Sequence, residues 1–213
     1  MNIDLKTLEE NLVLNYKKLL KSNELLDMFG KLSTTELADS LGENYVMDYE
    51  IKPVSDGLKL LGRAFTIQLP SNDSKITNDA IDCAKEGDIL VINTNNSYTH
   101  AVWGDVKTIK AMNKNIGGVV VDGSIRDVAK IRELGFPLFC KRHVMLASGK
   151  DGGGEFNAAI SCGGVIVHSG DILMGDENGV IVIPKNKIEE ALSKANKKLK
   201  SDEEKIKEIL IKN

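Results

Sequence analysis

The stretch Gly117-Gly118-Val119-Val120-Val121-Asp122-Gly123-Ser124-Ile125-Arg126-Asp127 decides the fold. Its apolar centre is short, β-branched and bounded by glycines, the pattern of a strand buried on both faces. Gly123-Ser124 turns the chain. Val128-Ala129-Lys130-Ile131-Arg132-Glu133-Leu134 then repeats apolar residues at helical spacing until Gly135 and Pro137. Arg126 and Asp127 are thereby predicted in the first helical turn, at the C-terminal end of a buried strand. Ligands of open α/β sheets collect at that edge. A cation fixed beside a carboxylate suits an anionic substrate and a metal ion held side by side. The same residues allow a plainer reading: Ser124-Ile125-Arg126-Asp127 matches the capping box, in which both side chains only satisfy helix-start donors.

A second junction of the same kind lies upstream. Gly87-Asp88-Ile89-Leu90-Val91-Ile92-Asn93 has a buried-strand pattern, and after a polar loop Trp103-Gly104-Asp105 leads into the helical stretch Val106–Met112. Gly104 permits close approach to the backbone, and the helix start offers N–H groups to a carboxylate or enolate oxygen. Twenty residues separate Asp105 from Arg126-Asp127.

Trp103-Gly104-Asp105, the Val-Val-Asp-Gly-x-x-Arg-Asp run ending at Asp127, Glu133-Leu134-Gly135-Phe136-Pro137-Leu138-Phe139 and Gly153-Gly154-Glu155 together resemble one family. It holds the 4-hydroxy-4-methyl-2-oxoglutarate (class II pyruvate) aldolases and the regulator of ribonuclease activity A. The spacing of Asp105 to Arg126-Asp127 is that of the aldolase branch. The resemblance implies an α/β fold with a compact β/β/α, swivelling-domain-like core and helical N- and C-terminal segments. It also implies a pyruvate-releasing lyase with oxaloacetate decarboxylation as a side reaction. Asp127 would ligate magnesium or manganese, and Arg126 would bind the carboxylate and keto oxygen of a small 2-oxo acid. Backbone N–H groups of Gly104, Asp105, Val106 and Lys107 would face that substrate, and Asp105 would hold a metal-bound water. Glu203 or Glu204 would reach the metal waters of a neighbouring subunit in a homotrimer or homohexamer. Lys141 departs from the family pattern, where arginine is usual, within the basic run Cys140-Lys141-Arg142-His143. The runner-up function is a non-catalytic regulator that binds and inhibits ribonuclease E. The methyltransferase label sometimes given to this family finds no support, because no strand–G-x-G-x-x-G–helix unit is present.

Composition fits an enzyme subunit. The 213 residues are 42% hydrophobic with net charge −3, enough for a sizeable core and no sign of general nucleic-acid affinity. No apolar run reaches membrane-spanning length and Met1-Asn2-Ile3-Asp4-Leu5 lacks a secretory core, so a cytoplasmic protein without membrane partners is expected. Cys83, Cys140 and Cys162 show no metal spacing and read as buried thiols. His100, His143 and His168 also lack ligand spacing, although His100 sits close enough in sequence to line the pocket. Lys107 and Lys110 are Schiff-base candidates without an evident desolvated setting.

One domain is expected over 1–213, with a core over about 33–184 and a C-terminal helix over about 185–212. Leucines 5, 8, 12, 19 and 26 recur at helical spacing. Ser33-Thr34-Thr35-Glu36 starts a helix; 62–69 alternates as a strand, 78–84 is a helix, and 164–167, 171–174 and 180–183 are short strands. Gly149–Gly154 is not a phosphate loop and reads as a mobile connection. Ser201-Asp202-Glu203-Glu204 is placed to restart the last helix with a cap.

Overall fold

A computed structural model describes residues 24–211. The leucines at 5, 8, 12 and 19 lie outside the described residues. Helices are α1 (Glu24–Phe29), α2 (Thr34–Leu41), α3 (Thr77–Cys83), α4 (Asp105–Asn113), α5 (Val128–Leu134) and α6 (Ile188–Ile211). Strands are β1 (Lys52–Pro53), β2 (Leu60–Gln68), β3 (Ile89–Asn93), β4 (Ala101–Trp103), β5 (Gly118–Ile125), β6 (Leu138–His143), β7 (Glu155–Phe156), β8 (Ile160–Cys162), β9 (Val165–Val167), β10 (Ile172–Asp176) and β11 (Gly179–Ile183).

The main sheet runs β1-β6-β5-β3-β2-β10-β11, with β4 beside β5 and β7 beside β2, while β8 and β9 form a separate hairpin. Its centre, β2-β3-β5-β6, is parallel, and its margins are antiparallel. Met47 N–H donates to Val180 of β11 at 2.9 Å and Val46 bridges Ile181, so the chain just before β1 reaches the opposite margin and nearly closes the sheet. Strand pleating explains the cores on either side of this wall. Ile89 and Val91 of β3, Val120 of β5 and Val180 and Val182 of β11 pack inward with Phe139, Leu173 and the β8–β9 hairpin. Leu90, Ile92, Val119 and Val121 face the other way, onto Ala80 and Ile81 of α3, Ala111 and Met112 of α4, and Ile131 and Leu134 of α5. Ile181 and Ile183 join Leu37 of α2 and Ala191, Leu192 and Ala195 of α6 in a third cluster. Every residue of β5 is buried, as its β-branched run requires.

The predicted capping box at Ser33 forms: its hydroxyl accepts from Glu36 N–H, and the Glu36 carboxylate accepts from Ser33 N–H at 2.7 Å. The expected helix restart at Ser201 does not occur, because α6 continues unbroken through it. Asp202 there serves as a partner for Lys198, one turn earlier at 3.1 Å. Cys140 and Cys162 are buried as expected, whereas Cys83 is exposed at the end of α3. Among the described residues, no helix is long and apolar enough to cross a membrane.

Candidate active site

Two parallel neighbours bring the distant motifs together. β4 pairs with the last residues of β5, Trp103 opposite Ile125, and Arg126 N–H donates to Trp103 C=O at 3.0 Å. Gly104-Asp105 and Arg126-Asp127 follow directly, so both junctions open on one edge. The chain after β6 runs along β4: Ala101 N–H donates to Leu146 C=O at 2.7 Å, and Ser148 N–H donates to Ala101 C=O at 3.0 Å. Between these elements lies a cleft of about 210 Å³. Gly104, Asp105, Val106, Lys107, Arg126 and Asp127 all line it, joined by Ser74, Ser148 and Lys150.

The capping reading of Asp127 does not hold. The helix begins at Val128, as the apolar spacing predicts, so Arg126 and Asp127 precede it and do not form its first turn, and Asp127 at its N-cap makes no side-chain cap bond. Ser124 is inside β5, its hydroxyl donating to Tyr98 C=O instead. Asp127 is left-handed (φ 57, ψ 33), a conformation that costs a non-glycine residue about 1–2 kcal/mol and that aspartate tolerates better than most. Its carboxylate meets the Arg126 guanidinium at 3.2 Å with both side chains partly open, at 46% exposure for Arg126 and 35% for Asp127. Gly104 leaves room for the carboxylate where it stands: a Cβ at 104 would lie 2.6 Å from Asp127 Oδ2 and push it aside.

Asp105 opens α4, and one of its oxygens accepts from Val106 N–H at 2.7 Å. Val106 N–H is therefore engaged, whereas the Asp105 and Lys107 N–H groups have no acceptor among the described residues. Lys107 corrects the expectation of a solvated lysine. Its ammonium donates to Val102 C=O at 2.7 Å, Ser74 Oγ at 2.9 Å and Ser74 C=O at 3.2 Å. Burial, reinforced by the Lys150 and Arg126 charges, pushes its pKa down to about 8. With all three donors in use, it stands as a fixed charge in the wall.

The Gly149–Gly154 segment is also not the free connection expected. Asp73 accepts from the N–H groups of Lys75 at 2.8 Å, Asp151 at 2.6 Å and Gly152 at 3.3 Å. Burial works to raise the Asp73 pKa, but these donors hold it below the usual carboxylate range. The pinned strap carries Ser148 and Lys150 into the cleft. Neither residue has a motif signal; only the glycine run marks the segment.

Other candidates fall outside. His100 bonds Asn72 Oδ1 at 3.0 Å and does not line the cleft, and His143 and His168 sit on the surface. Lys110 pairs with Asp82 at 2.8 Å. Lys141 pairs with Asp48 and Asp122 and does not line the cleft. Glu203 and Glu204 are exposed on α6 and are absent from the cleft of this chain. No group of three or more His, Cys, Asp or Glu able to hold a metal occurs among the described residues. The donor set still fits magnesium, which keeps several waters and is commonly held by one or two carboxylates.

The family model RraA-like (Aldolase/RraA) matches residues 34–182, a span that includes every element of this cleft. The chain belongs to that family. A Halalkalibacterium halodurans member, provisionally assigned as a 4-hydroxy-4-methyl-2-oxoglutarate aldolase, is 38% identical over 180 residues, covering 84% of this chain and 86% of its own. Among solved structures, an uncharacterized protein from Pseudomonas syringae pv. tomato superposes with a TM-score of 0.79 at 25% identity, covering 90% of this chain and 94% of its own. The RNA-processing inhibitor RraA from Thermus thermophilis does so at 0.66 and 27%, covering 71% and 92%. The Aldolase/RraA architecture is thus a mixed α/β one, with a nearly closed, barrel-like sheet and a helical C-terminal segment.

Proposed function

We propose that this Aldolase/RraA protein is a divalent-metal-dependent class II pyruvate aldolase. It would cleave 4-hydroxy-2-oxo acids of the 4-hydroxy-4-methyl-2-oxoglutarate type and decarboxylate oxaloacetate as a side reaction. The observation that carries this is Asp127: strained, uncapped and paired with Arg126 at the edge of a cleft. A residue that only started a helix would gain nothing from that arrangement. The aldolase assignment of the Halalkalibacterium relative supports the reading.

Asp127 would hold magnesium or manganese together with waters, Asp105 helping through a water on its second oxygen. When bound, the metal supplies Lewis acidity toward the C2 keto oxygen. Arg126 grips the C1 carboxylate and keto oxygen with its planar fork. The N–H groups of Asp105 and Lys107 point dipoles at the same oxygen. As the C3–C4 bond breaks, its electron pair becomes the enolate of pyruvate, and these donors offset the growing charge. Asp105, through its water, takes the proton of the C4 hydroxyl, whose carbon leaves as a carbonyl. Loss of carbon dioxide from oxaloacetate yields the same enolate, so one site serves both reactions.

We also infer one domain over 1–213, a cytoplasmic setting, and a homotrimer or homohexamer with Glu203 or Glu204 contributed across the interface. Exposed Ile206, Leu210 and Ile211 at the end of α6 support an assembly. The inhibitor named in the Thermus structure keeps a regulator of ribonuclease E as the second reading. Pyruvate release from oxaloacetate and from a panel of 4-hydroxy-2-oxo acids separates the two. Activity should vanish with EDTA and return with magnesium or manganese. No pyruvate with either metal would remove the lyase reading, and imine trapping by borohydride would transfer it to a lysine-dependent aldolase.

A further inference from the structure

Two serines and a lysine in the wall of the cleft form a hydrogen-bonded line that the aldol chemistry leaves idle. The Ser148 hydroxyl donates to Ser74 Oγ at 2.6 Å, and Lys107 Nζ lies 2.9 Å from the same oxygen. The backbone fixes both serines. Ser74 N–H donates to Gly149 C=O at 3.2 Å, Gly149 N–H to Asn72 C=O at 2.7 Å, and Ser148 N–H to Ala101 C=O at 3.0 Å. All three residues line the cleft.

Each hydroxyl owns a single proton, whereas an ammonium owns three. With Lys107 charged, Ser74 Oγ accepts from both Ser148 and Lys107, and its own proton has no acceptor among the described residues. Ser74 is only 5% exposed, so an idle donor there is costly. With Lys107 neutral, every proton finds a place. The amine donates to Val102 C=O at 2.7 Å and to Ser74 C=O at 3.2 Å, and its lone pair accepts the Ser74 proton. Ser74 Oγ then accepts from Ser148 alone. Burial and the Lys150 and Arg126 charges favour that neutral amine, and Asp73 opposes them.

We propose that Ser148 is a nucleophile, relayed through Ser74 to Lys107, and that the cleft has a second activity, the hydrolysis of small carboxylic esters. Ser148 Oγ bonds the carbonyl carbon as its proton passes to Ser74 Oγ and the Ser74 proton passes to Lys107 Nζ. The carbonyl electron pair moves onto oxygen. The N–H groups of Asp105 and Lys107, which belong to the same cleft and have no acceptor among the described residues, offset that charge. Collapse expels the alcohol, which takes the proton back through Ser74 and leaves Ser148 acylated. Water then enters by the same relay and frees the acid, restoring Ser148 and its proton. At about 210 Å³ the cleft admits a short acyl chain. No metal takes part, so the relay stands apart from the pyruvate-lyase reading.

The probe is 4-nitrophenyl acetate, followed by nitrophenolate release and by peptide mass spectrometry after acid quench, once with magnesium and once with EDTA. Ser148 should carry the acetyl group under both conditions. Ser148→Ala, a change at a half-exposed residue of the strap, should remove the label. Ser74→Ala should slow acylation about 10²–10⁴-fold, the usual contribution of a general base. An unlabelled Ser148, acetyl groups only on lysines or on Cys83, labelling that needs magnesium, or an undiminished rate in Ser74→Ala would overturn the relay. Pyruvate release without a labelled Ser148 removes the relay and keeps the lyase. A labelled Ser148 with no pyruvate from any substrate removes the lyase and keeps the relay.

Discussion

Two cation–carboxylate groups stand on neighbouring parallel strands, and they differ in how completely their charges are answered. Lys141 on β6 is 8% exposed and lies 2.8 Å from both Asp48 and Asp122, with the Tyr98 ring 5.5 Å from its nitrogen. Burial alone would lower its pKa, but hydrogen bonds to Asp122 and Asp48 hold it above the ordinary lysine value. Asp122 also accepts from Gly163 N–H at 2.7 Å, tying the β8–β9 hairpin to β5. Arg126 and Asp127, just past the end of β5, pair with each other alone among the described residues, half open to water, with Asp127 on a left-handed backbone. A lysine between two aspartates is thus closed in one place, and an arginine with a single aspartate stays open beside it. The first group is complete within the fold, and the second leaves its charges open to the cleft.

The largest test of this contrast breaks the closed clamp. Lys141→Met strands two carboxylates near the core and should cost about 3–5 kcal/mol of stability by denaturant titration; a change under about 1 kcal/mol would put the pair on a par with a surface bridge. Asp127→Asn comes next. Asparagine tolerates the left-handed backbone, so Tm should hold while kcat/KM for pyruvate release drops about 10²–10³-fold; the reverse outcome would restore a helix-capping role. Arg126→Lys keeps the charge but loses the fork, and about 10²-fold of kcat/KM should go with little change in Tm. Gly104→Ala is subtler. Its extended backbone accepts alanine, but the methyl would displace the Asp127 carboxylate, and a loss of about tenfold is expected from misplacement alone. The smallest effect is in pH. Lys107 sheds its proton near pH 8, so the wall loses a positive charge as pH climbs through that value. KM for an anionic substrate should rise about two- to fivefold between pH 7 and 9, and a flat KM would assign Lys107 a pKa well above this range.

The sheet centre was legible because β3 and the first half of β5 carry short apolar runs, Ile89–Ile92 and Val119–Val121, that follow glycines, and α4 and α5 keep helical spacing. The meeting of Asp105 with Arg126-Asp127 was legible only as a spacing; its cause is the parallel pairing of β4 with β5. β4 itself, three residues behind a polar loop, is too short for any periodicity to show. Ser124 misled because a capping box is a local pattern, whereas its hydroxyl was claimed by Tyr98 from a distant loop. The burial of Lys107 was not legible for the same reason: its helix shows no desolvated setting in sequence, and the oxygens that cover it come from Ser74 and Val102. Ser148 and Lys150 reach the cleft through a strap whose anchor, Asp73, lies far away in sequence.

The placement of β2 bears on how the polypeptide emerges from the ribosome. β2 is made early, yet one of its long-edge neighbours, β10, pairs Ile172 with Arg63 and is among the last strands synthesised. Until then the nascent sheet holds Asp105, Arg126 and Asp127 while the Leu60–Arg63 part of the β2 edge stays unpaired. Open edges of that kind invite pairing with other chains. Translation that stalls after the glycine strap should therefore yield aggregates, and the final two sheet strands act as the seal that makes the finished molecule safe to release.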